Sequence, residues 1–137
     1  MTSTAQEAVA NAGDGDTVIG WRLDEEQRRE LLQQFPPRFR QAVADHVTLK
    51  TNAGRRAPLP EAVTGEIVGC ADDGEGVEAM VVAIDGSTDR PGGGTYHITW
   101  SLEPGREAKE SNDVIARRGW REFDLPMPVR LVPVRFD

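Results

Sequence analysis

The alternation of apolar and polar positions predicts that a short strand and a helix open the ordered part of the chain. Residues 18–23 (VIGWRL) form a mainly apolar run of strand length. Asp24 and Gln27 then have the spacing of a capping box, in which the Asp24 side chain caps the first helical turn and the Gln27 side chain reaches back to Asp24. Apolar residues follow at helical spacing until Pro36, which ends the helix. Pro37 is predicted to open a second helical turn.

From position 46 the apolar positions alternate with a period of two, which indicates half-buried strands. Strands are predicted over residues 46–50, 63–70, 77–84 and 95–102. The second and third of these are expected to pair as a hairpin across the acidic, glycine-rich turn 71–76.

Turn and cap signals define the last two predicted elements. Ser111 is suited to be the N-cap of a short helix over residues 112–118, and Gly119 is placed as its C-terminal stop. The apolar positions in 129–134 lie between prolines, which favours an edge strand, where missing ladder donors are tolerated. This mixture of separate strands and helices predicts the α+β class.

The length of 137 residues fits one domain. Residues 1–17 are small and polar with no sustained apolar period, so we expect a flexible tail there and a single domain over residues 18–137.

Composition narrows the classes of function. The 16 Lys and Arg against 23 Asp and Glu give a formal net charge of −7, the wrong sign for a protein that follows a long phosphate backbone. One cysteine, Cys70, and two histidines do not suffice for an intramolecular disulfide or a Cys/His zinc cluster, so no metal and no cofactor are expected. No apolar run is long enough to span a bilayer, and we expect a cytoplasmic monomer without a membrane partner.

Both histidines lie in the same local pattern of His, β-branched apolar, Thr, apolar. The first copy is HVTL, beginning at His46, and the second is HITW, beginning at His97. On a strand, residues i and i+2 lie on one face about 7 Å apart, so each copy presents an imidazole and the hydroxyl of Thr48 or Thr99 together.

Two such strands facing one pocket are suited to chemistry on a phosphate. Imidazoles titrate near ~6.5 and can serve as general acid and general base, while hydroxyls hold the non-bridging oxygens. In a cyclic phosphodiester, one imidazole would take a proton from water and the other would give one to the departing ribose oxygen. Neither step requires a metal.

The two motifs resemble those of the 2H phosphoesterases, which include RNA 2′,3′-cyclic phosphodiesterases and the phosphodiesterase domain of tRNA ligases. The segment KESN, beginning at Lys109, is similar to a segment of the tRNA-ligase branch. The resemblance covers residues 18–136 and implies a compact two-lobed fold, with antiparallel sheets around a central cleft and a few flanking helices. It also implies that His46 is the acid and His97 the base.

The resemblance implies hydrolysis of a terminal 2′,3′-cyclic phosphate to a 2′-phosphate, with an RNA terminus or a small cyclic-phosphate nucleotide as the partner. The motifs begin 51 positions apart, at His46 and His97, which is shorter than in many relatives. Two alternatives stay open: a phosphodiesterase for a 2′-5′-linked or cyclic small nucleotide, and a nucleotide-binding module without turnover.

Four further residues are candidates for substrate binding. Lys50 and Ser101 follow the motifs with the alternation that places them on the histidine faces, and Lys109 and Ser111 belong to the KESN segment. A lysine at a strand end is often only solvated, which is the competing interpretation for Lys50.

Overall fold

A computed structural model describes residues 17–51, 53, 54 and 56–136. The predicted tail, apart from Thr17, lies outside these residues. Thr17 itself is buried, and its carbonyl accepts the N–H of Ala53 at 2.9 Å. In chain order the elements are β1 (Val18–Leu23), α1 (Glu25–Gln34), β2 (Gln41–Ala42), β3 (His46–Lys50), β4 (Val63–Asp72), β5 (Val77–Ala83), β6 (His97–Leu102), α2 (Glu110–Arg118) and β7 (Arg121–Phe136).

The seven strands form one open antiparallel sheet in the order β2-β6-β5-β4-β7-β1-β3. The α+β class is therefore confirmed, as are the strand at 18–23 and the β4–β5 hairpin. The described part of the chain is one continuous sheet with two helices, and a two-lobed arrangement is not shown. The motif strand β3 lies at one end of the sheet, and the motif strand β6 lies next to the other end.

Both faces of the sheet are covered by apolar side chains, in two separate clusters. The larger cluster is built around Trp21, Ile67 and Trp100 and receives Leu31 from α1. The smaller one joins Val77, Ala79 and Val81 of β5 to Val114 and Ile115 of α2. Since β5 contributes to both clusters, its run of apolar residues reflects burial on two sides.

The C-terminal strand β7 lies in the interior of the sheet, so the edge-strand prediction was wrong. Its 16 residues pair with β4 up to Leu131 and with β1 from Leu131 onward. Pro128 therefore has a strand neighbour only on the β4 side, and Pro133 only on the β1 side. The nitrogen of each proline, which carries no hydrogen, can face the side without a strand neighbour. A central strand position is therefore compatible with both prolines.

Three helix predictions required correction. No helical turn follows Pro37, because the N–H groups of Arg38 and Phe39 bond instead to the side chains of Glu78 (3.0 Å) and Ser101 (3.1 Å). The helix α2 has Lys109, not Ser111, at its N-cap, because i to i+3 bonds in the turn before it start the helix earlier. The cap of α1 by Asp24 and the end of α2 at Gly119 are confirmed. The reciprocal bond of the capping box was wrong, because the Gln27 side chain bonds to the backbone of Pro128 and Arg130 and the Asp24 N–H bonds to the Arg130 carbonyl.

Residues 41–50 form one segment that hydrogen-bonds to strands near both ends of the sheet. Gln41–Ala42 pair with β6, and the N–H groups of Val43 and Ala44 continue this pairing with bonds of 2.9 Å. The backbone turns at Ala44, whose φ is 43°, and from His46 onward the segment pairs with β1. This single segment therefore carries one motif strand into contact with the other.

The turn at Ala44 is held by α1. Arg28 donates from Nε to the Ala44 carbonyl at 2.8 Å and from Nη2 to the Val43 carbonyl at 3.0 Å. A positive φ is uncommon for a residue with a Cβ, so these bonds stabilise a conformation that the local sequence does not favour.

Both motif strands carry a bulge at the fourth motif position. In β3 the bulged residue is Leu49, and in β6 it is Trp100, since each is passed over in the pairing with the neighbouring strand. Gly20 makes the first of these possible: a Cβ there would lie 2.1 Å from the Val47 carbonyl oxygen. The bulges change which face the later residues of each strand occupy.

Candidate functional site

The two histidines and two threonines of the motifs converge on one cavity of about 180 Å³ between β3, β6 and the start of α2. His46 and Thr48 line it from β3, and His97 and Thr99 line it from β6. The two-strand arrangement expected from the motifs is thus present, and it is produced by the segment 41–50 that bonds to both ends of the sheet.

His97 is held in one tautomer by the backbone. Its Nδ1 lies 2.8 Å from the carbonyl oxygen of Thr95, and because a carbonyl only accepts, Nδ1 carries the proton. The pKa of His97 is lowered from 6.5 to about 4, chiefly by burial of the ring and also by the positive charges of Arg90 and His46, while the Thr95 bond acts in the opposite direction. At neutral pH the ring is uncharged, with a free lone pair on Nε2.

His46 is placed between a carboxylate and an aromatic ring. Its Nδ1 lies 3.2 Å from Oδ2 of Asp45, which is itself buried. The Phe136 ring packs edge-on against the imidazole, with 5.0 Å between the ring centroids. Because a carboxylate only accepts, Nδ1 carries the proton of this bond, and Nε2 is the other ring nitrogen.

The two motif threonines differ in their surroundings. Thr99 is buried, and its hydroxyl lies 2.8 Å from the hydroxyl of Ser111 and 3.4 Å from the Ala108 carbonyl oxygen. Thr48 is partly exposed where it lines the cavity. Ser111 does not line the cavity itself, but it contacts Thr99, which does.

Among the described residues that line the cavity, two charged side chains stand beside the histidines, and both are cationic: Arg90 and Lys109. Lys109 also pairs with Glu107 at 3.1 Å, and both of these side chains are well exposed. A chain of net charge −7 therefore has a locally positive cavity, which is suited to an anion.

Asn112 connects the cavity to the glycine-rich loop that precedes β6. Its Oδ1 accepts the N–H of Thr95 at 3.3 Å, and its side-chain amide lies 2.8 Å from where a Cβ on Gly94 would be. With a φ of 88°, Gly94 is also in a backbone conformation that favours glycine. The close approach of loop and helix here depends on the absence of that side chain.

Ser101 and Lys50 do not line this cavity. Ser101 pairs with Glu78, and Thr99 pairs with Ala79, so the bulge at Trp100 places Ser101 on the face opposite Thr99. Ser101 is fully buried, and its hydroxyl donates to Glu78 at 2.6 Å. Lys50 lines an adjoining depression instead.

Three charged or amide side chains at the site were not singled out by sequence reasoning. Arg90 and Asn112 line the cavity, and Asp45 contacts His46. Asn112 stands within the KESN segment and Asp45 precedes the first motif directly, so adjacency to a motif is a signal for both. Arg90 had no such signal, because it comes from a loop whose sequence indicates only flexibility.

Neither helix in the described part of the chain is long and apolar enough to cross a membrane. Within those same residues, no group of three or more His, Cys, Asp or Glu side chains is placed to hold a metal ion. Compared with known proteins, the chain matches no family model, no curated protein and no solved structure.

Proposed function

We propose that this chain is a phosphodiesterase of the 2H type that hydrolyses a terminal 2′,3′-cyclic phosphate to a 2′-phosphate. The observation that carries the proposal is the convergence of His46, Thr48, His97 and Thr99 on one small cavity with cationic walls. Two imidazoles and two hydroxyls around an anion-sized space are the groups that in-line displacement at phosphorus requires.

The base in this proposal is His97. With Nδ1 bonded to Thr95, its Nε2 accepts a proton from a water molecule as the water oxygen forms its bond to phosphorus. The low pKa of His97 keeps the ring unprotonated in the free protein. A bound phosphodiester anion counteracts the influence of the neighbouring cations and makes the ring more basic during the reaction.

The acid is His46, whose Nε2–H donates to the ribose O3′ as the bond from phosphorus to O3′ breaks. Overall, water adds across that bond, and the product is a 2′-phosphate with a free 3′-hydroxyl. Asp45 offsets the positive charge on the ring before the transfer. Because both proton transfers are made by protein side chains, the proposed reaction needs no metal.

The remaining groups stabilise the negative charge on the non-bridging oxygens. Thr48 and Thr99 offer hydroxyl donors, and Arg90 and Lys109 supply positive charge from the walls. The bond from Ser111 orients the hydroxyl of Thr99. If Ser111 donates this bond, the Thr99 proton can turn from its 3.4 Å bond to the Ala108 carbonyl oxygen toward the phosphate.

The two-lobe arrangement implied by the resemblance belongs to the same proposal. Each motif strand is the first of three neighbouring strands that lead to the middle of the sheet. These are β6, β5 and β4 in one half, and β3, β1 and β7 in the other. A bulge at the fourth motif position in both β3 and β6 supports this correspondence. We propose that these two halves are the counterparts of the two lobes.

The test is turnover of a short RNA that ends in a 2′,3′-cyclic phosphate, in the presence of EDTA, between pH 5 and 8. We expect a 2′-phosphate product and a loss of kcat by about 10²–10⁴-fold in His46→Ala and in His97→Ala, the range for removal of a general acid or base. Thr48→Val and Thr99→Val test the hydroxyls. Thr64→Val is the matched control, since Thr64 is exposed on β4 and lines no part of the cavity.

Folded protein without turnover on this RNA would refute the proposal. A preference for cyclic or 2′-5′-linked small nucleotides would instead support the same chemistry on another substrate. Tight nucleotide binding without any turnover, unaffected by His97→Ala, would identify a binding module.

A further inference from the structure

A second depression adjoins the catalytic cavity at the end of β3. It is lined by Lys50, Pro91 and Gly92, and it shares Thr51 and Arg90 with the cavity. The two spaces are therefore continuous along one wall. The depression is shallow and open, with a volume of about 370 Å³.

Two cations line this depression, and neither is neutralised by a neighbouring carboxylate. Among the described residues, no Asp or Glu forms an ion pair with Lys50 or Arg90. Lys50 is exposed, and Arg90 is partly buried. The chain has an excess of acidic residues, so the net charge does not predict these two cations beside the proposed phosphate cavity.

The position of Arg90 is fixed by the loop that carries it. Its backbone N–H donates to the Gly94 carbonyl and its carbonyl accepts the Gly93 N–H, each at 3.0 Å. Its Nε donates to the Gly93 carbonyl at 2.9 Å, which leaves the two terminal nitrogens of the guanidinium for other acceptors. The side chain is thus oriented before any ligand binds, which lowers the entropy cost of binding.

We propose that this depression is a subsite for a second phosphate group, attached to the 5′ oxygen of the same ribose that carries the cyclic phosphate. Arg90 stands between the two phosphates, and Lys50 holds the outer one. The proposal rests on the proposed function, because it takes the cyclic phosphate to occupy the adjoining cavity. It restricts the substrate class to cyclic phosphates with a 5′ phosphate, which is either an internucleotide linkage or a terminal group.

The experiment compares kcat/KM for three substrates: a nucleoside 2′,3′-cyclic phosphate, the same nucleoside with a 5′-phosphate, and a dinucleotide with a cyclic-phosphate end. We expect the two substrates with a second phosphate to exceed the first by about tenfold, the scale of one charge-assisted hydrogen bond. In Lys50→Ala that ratio should fall about tenfold, toward one, and Lys50→Arg should restore it.

Arg29→Ala is the matched control. It removes one exposed positive charge from α1, and Arg29 lines neither the cavity nor the depression. The ratio should be the same in this variant as in the unmodified protein. A fall of similar size in both variants would mean that overall charge, and not a subsite, sets the ratio, and would overturn the proposal.

The sources of the second phosphate separate in the same data. An advantage for both substrates shows that a 5′-phosphate suffices, and an advantage for the dinucleotide alone assigns the subsite to an internucleotide linkage. Equal kcat/KM for all three substrates overturns the subsite while upholding cyclic phosphate hydrolysis.

If no substrate is hydrolysed, the proposed function fails, and binding measurements then test the subsite. Calorimetry with a nucleoside 2′-phosphate and a nucleoside 2′,5′-bisphosphate should then show about tenfold tighter binding of the bisphosphate, lost in Lys50→Ala. Equal affinities for the two nucleotides would overturn the subsite on its own.

Discussion

Acidification should destabilise this protein through His97. The pKa of its imidazole falls from 6.5 to about 4 on folding, chiefly because the ring is buried and also because Arg90 and His46 lie nearby. The folded state therefore disfavours the protonated ring. Stability from this group is fully present above the unfolded pKa and is lost as the pH falls from 6.5 toward 4.

Linkage gives the size of the effect. With these two pKa values, His97 lowers the free energy of unfolding by about 2 kcal/mol between pH 7 and pH 5, and by about 3 kcal/mol by pH 4. Below pH 4 the folded protein also binds the proton, so little further loss arises from this residue. The pH range in which His97 reduces the free energy of unfolding thus lies below neutrality and above the range in which most carboxylates titrate.

Urea unfolding at pH 7, 6, 5 and 4, followed by the fluorescence of buried tryptophans such as Trp21 and Trp100, measures this loss. His97→Gln is the comparison, because glutamine is polar and does not titrate. The difference in unfolding free energy between the two proteins should shrink by about 2 kcal/mol from pH 7 to pH 5. Parallel pH profiles for the two proteins would refute the assignment of a desolvated, neutral imidazole.

Three substitutions test other features of the site. Gly20→Ala places a Cβ 2.1 Å from the Val47 carbonyl oxygen, so we expect a loss of about 2 kcal/mol or more in thermal or urea unfolding; unchanged stability would contradict the close approach. Ser111→Ala removes the 2.8 Å partner of the Thr99 hydroxyl and should lower kcat/KM about tenfold, in steady-state assays, with the fold retained. Ser101→Ala should do the reverse, costing about 1–3 kcal/mol of stability by urea unfolding and leaving kcat/KM within about twofold.

Local signals in the sequence predicted the elements that depend on local physics. The Asp24 cap is present as a 3.1 Å bond to the Gln27 N–H, and the β4–β5 hairpin forms across its predicted turn. The period-two pattern also placed His97 and Thr99 on one face of β6. These features follow from caps, turns and alternation within a few residues.

The failures came from interactions between distant parts of the chain. Side chains of Glu78 and Ser101 accept the N–H groups after Pro37, and nothing near Pro37 indicates this. Alternation could not predict the bulge at Trp100, which depends on pairing with β5 and changes the face of Ser101. The position of β7 between β4 and β1 likewise depends on partners far away in the sequence.

The segment 41–50 has a consequence for the order of folding. It pairs with β6, which lies far from it in the sequence, and with β1, so the cavity exists only when both pairings have formed. Contacts between distant segments require closure of long loops and form slowly. Binding of a ligand during refolding should therefore report that both pairings have formed, whereas bulk spectroscopic signals report only collapse.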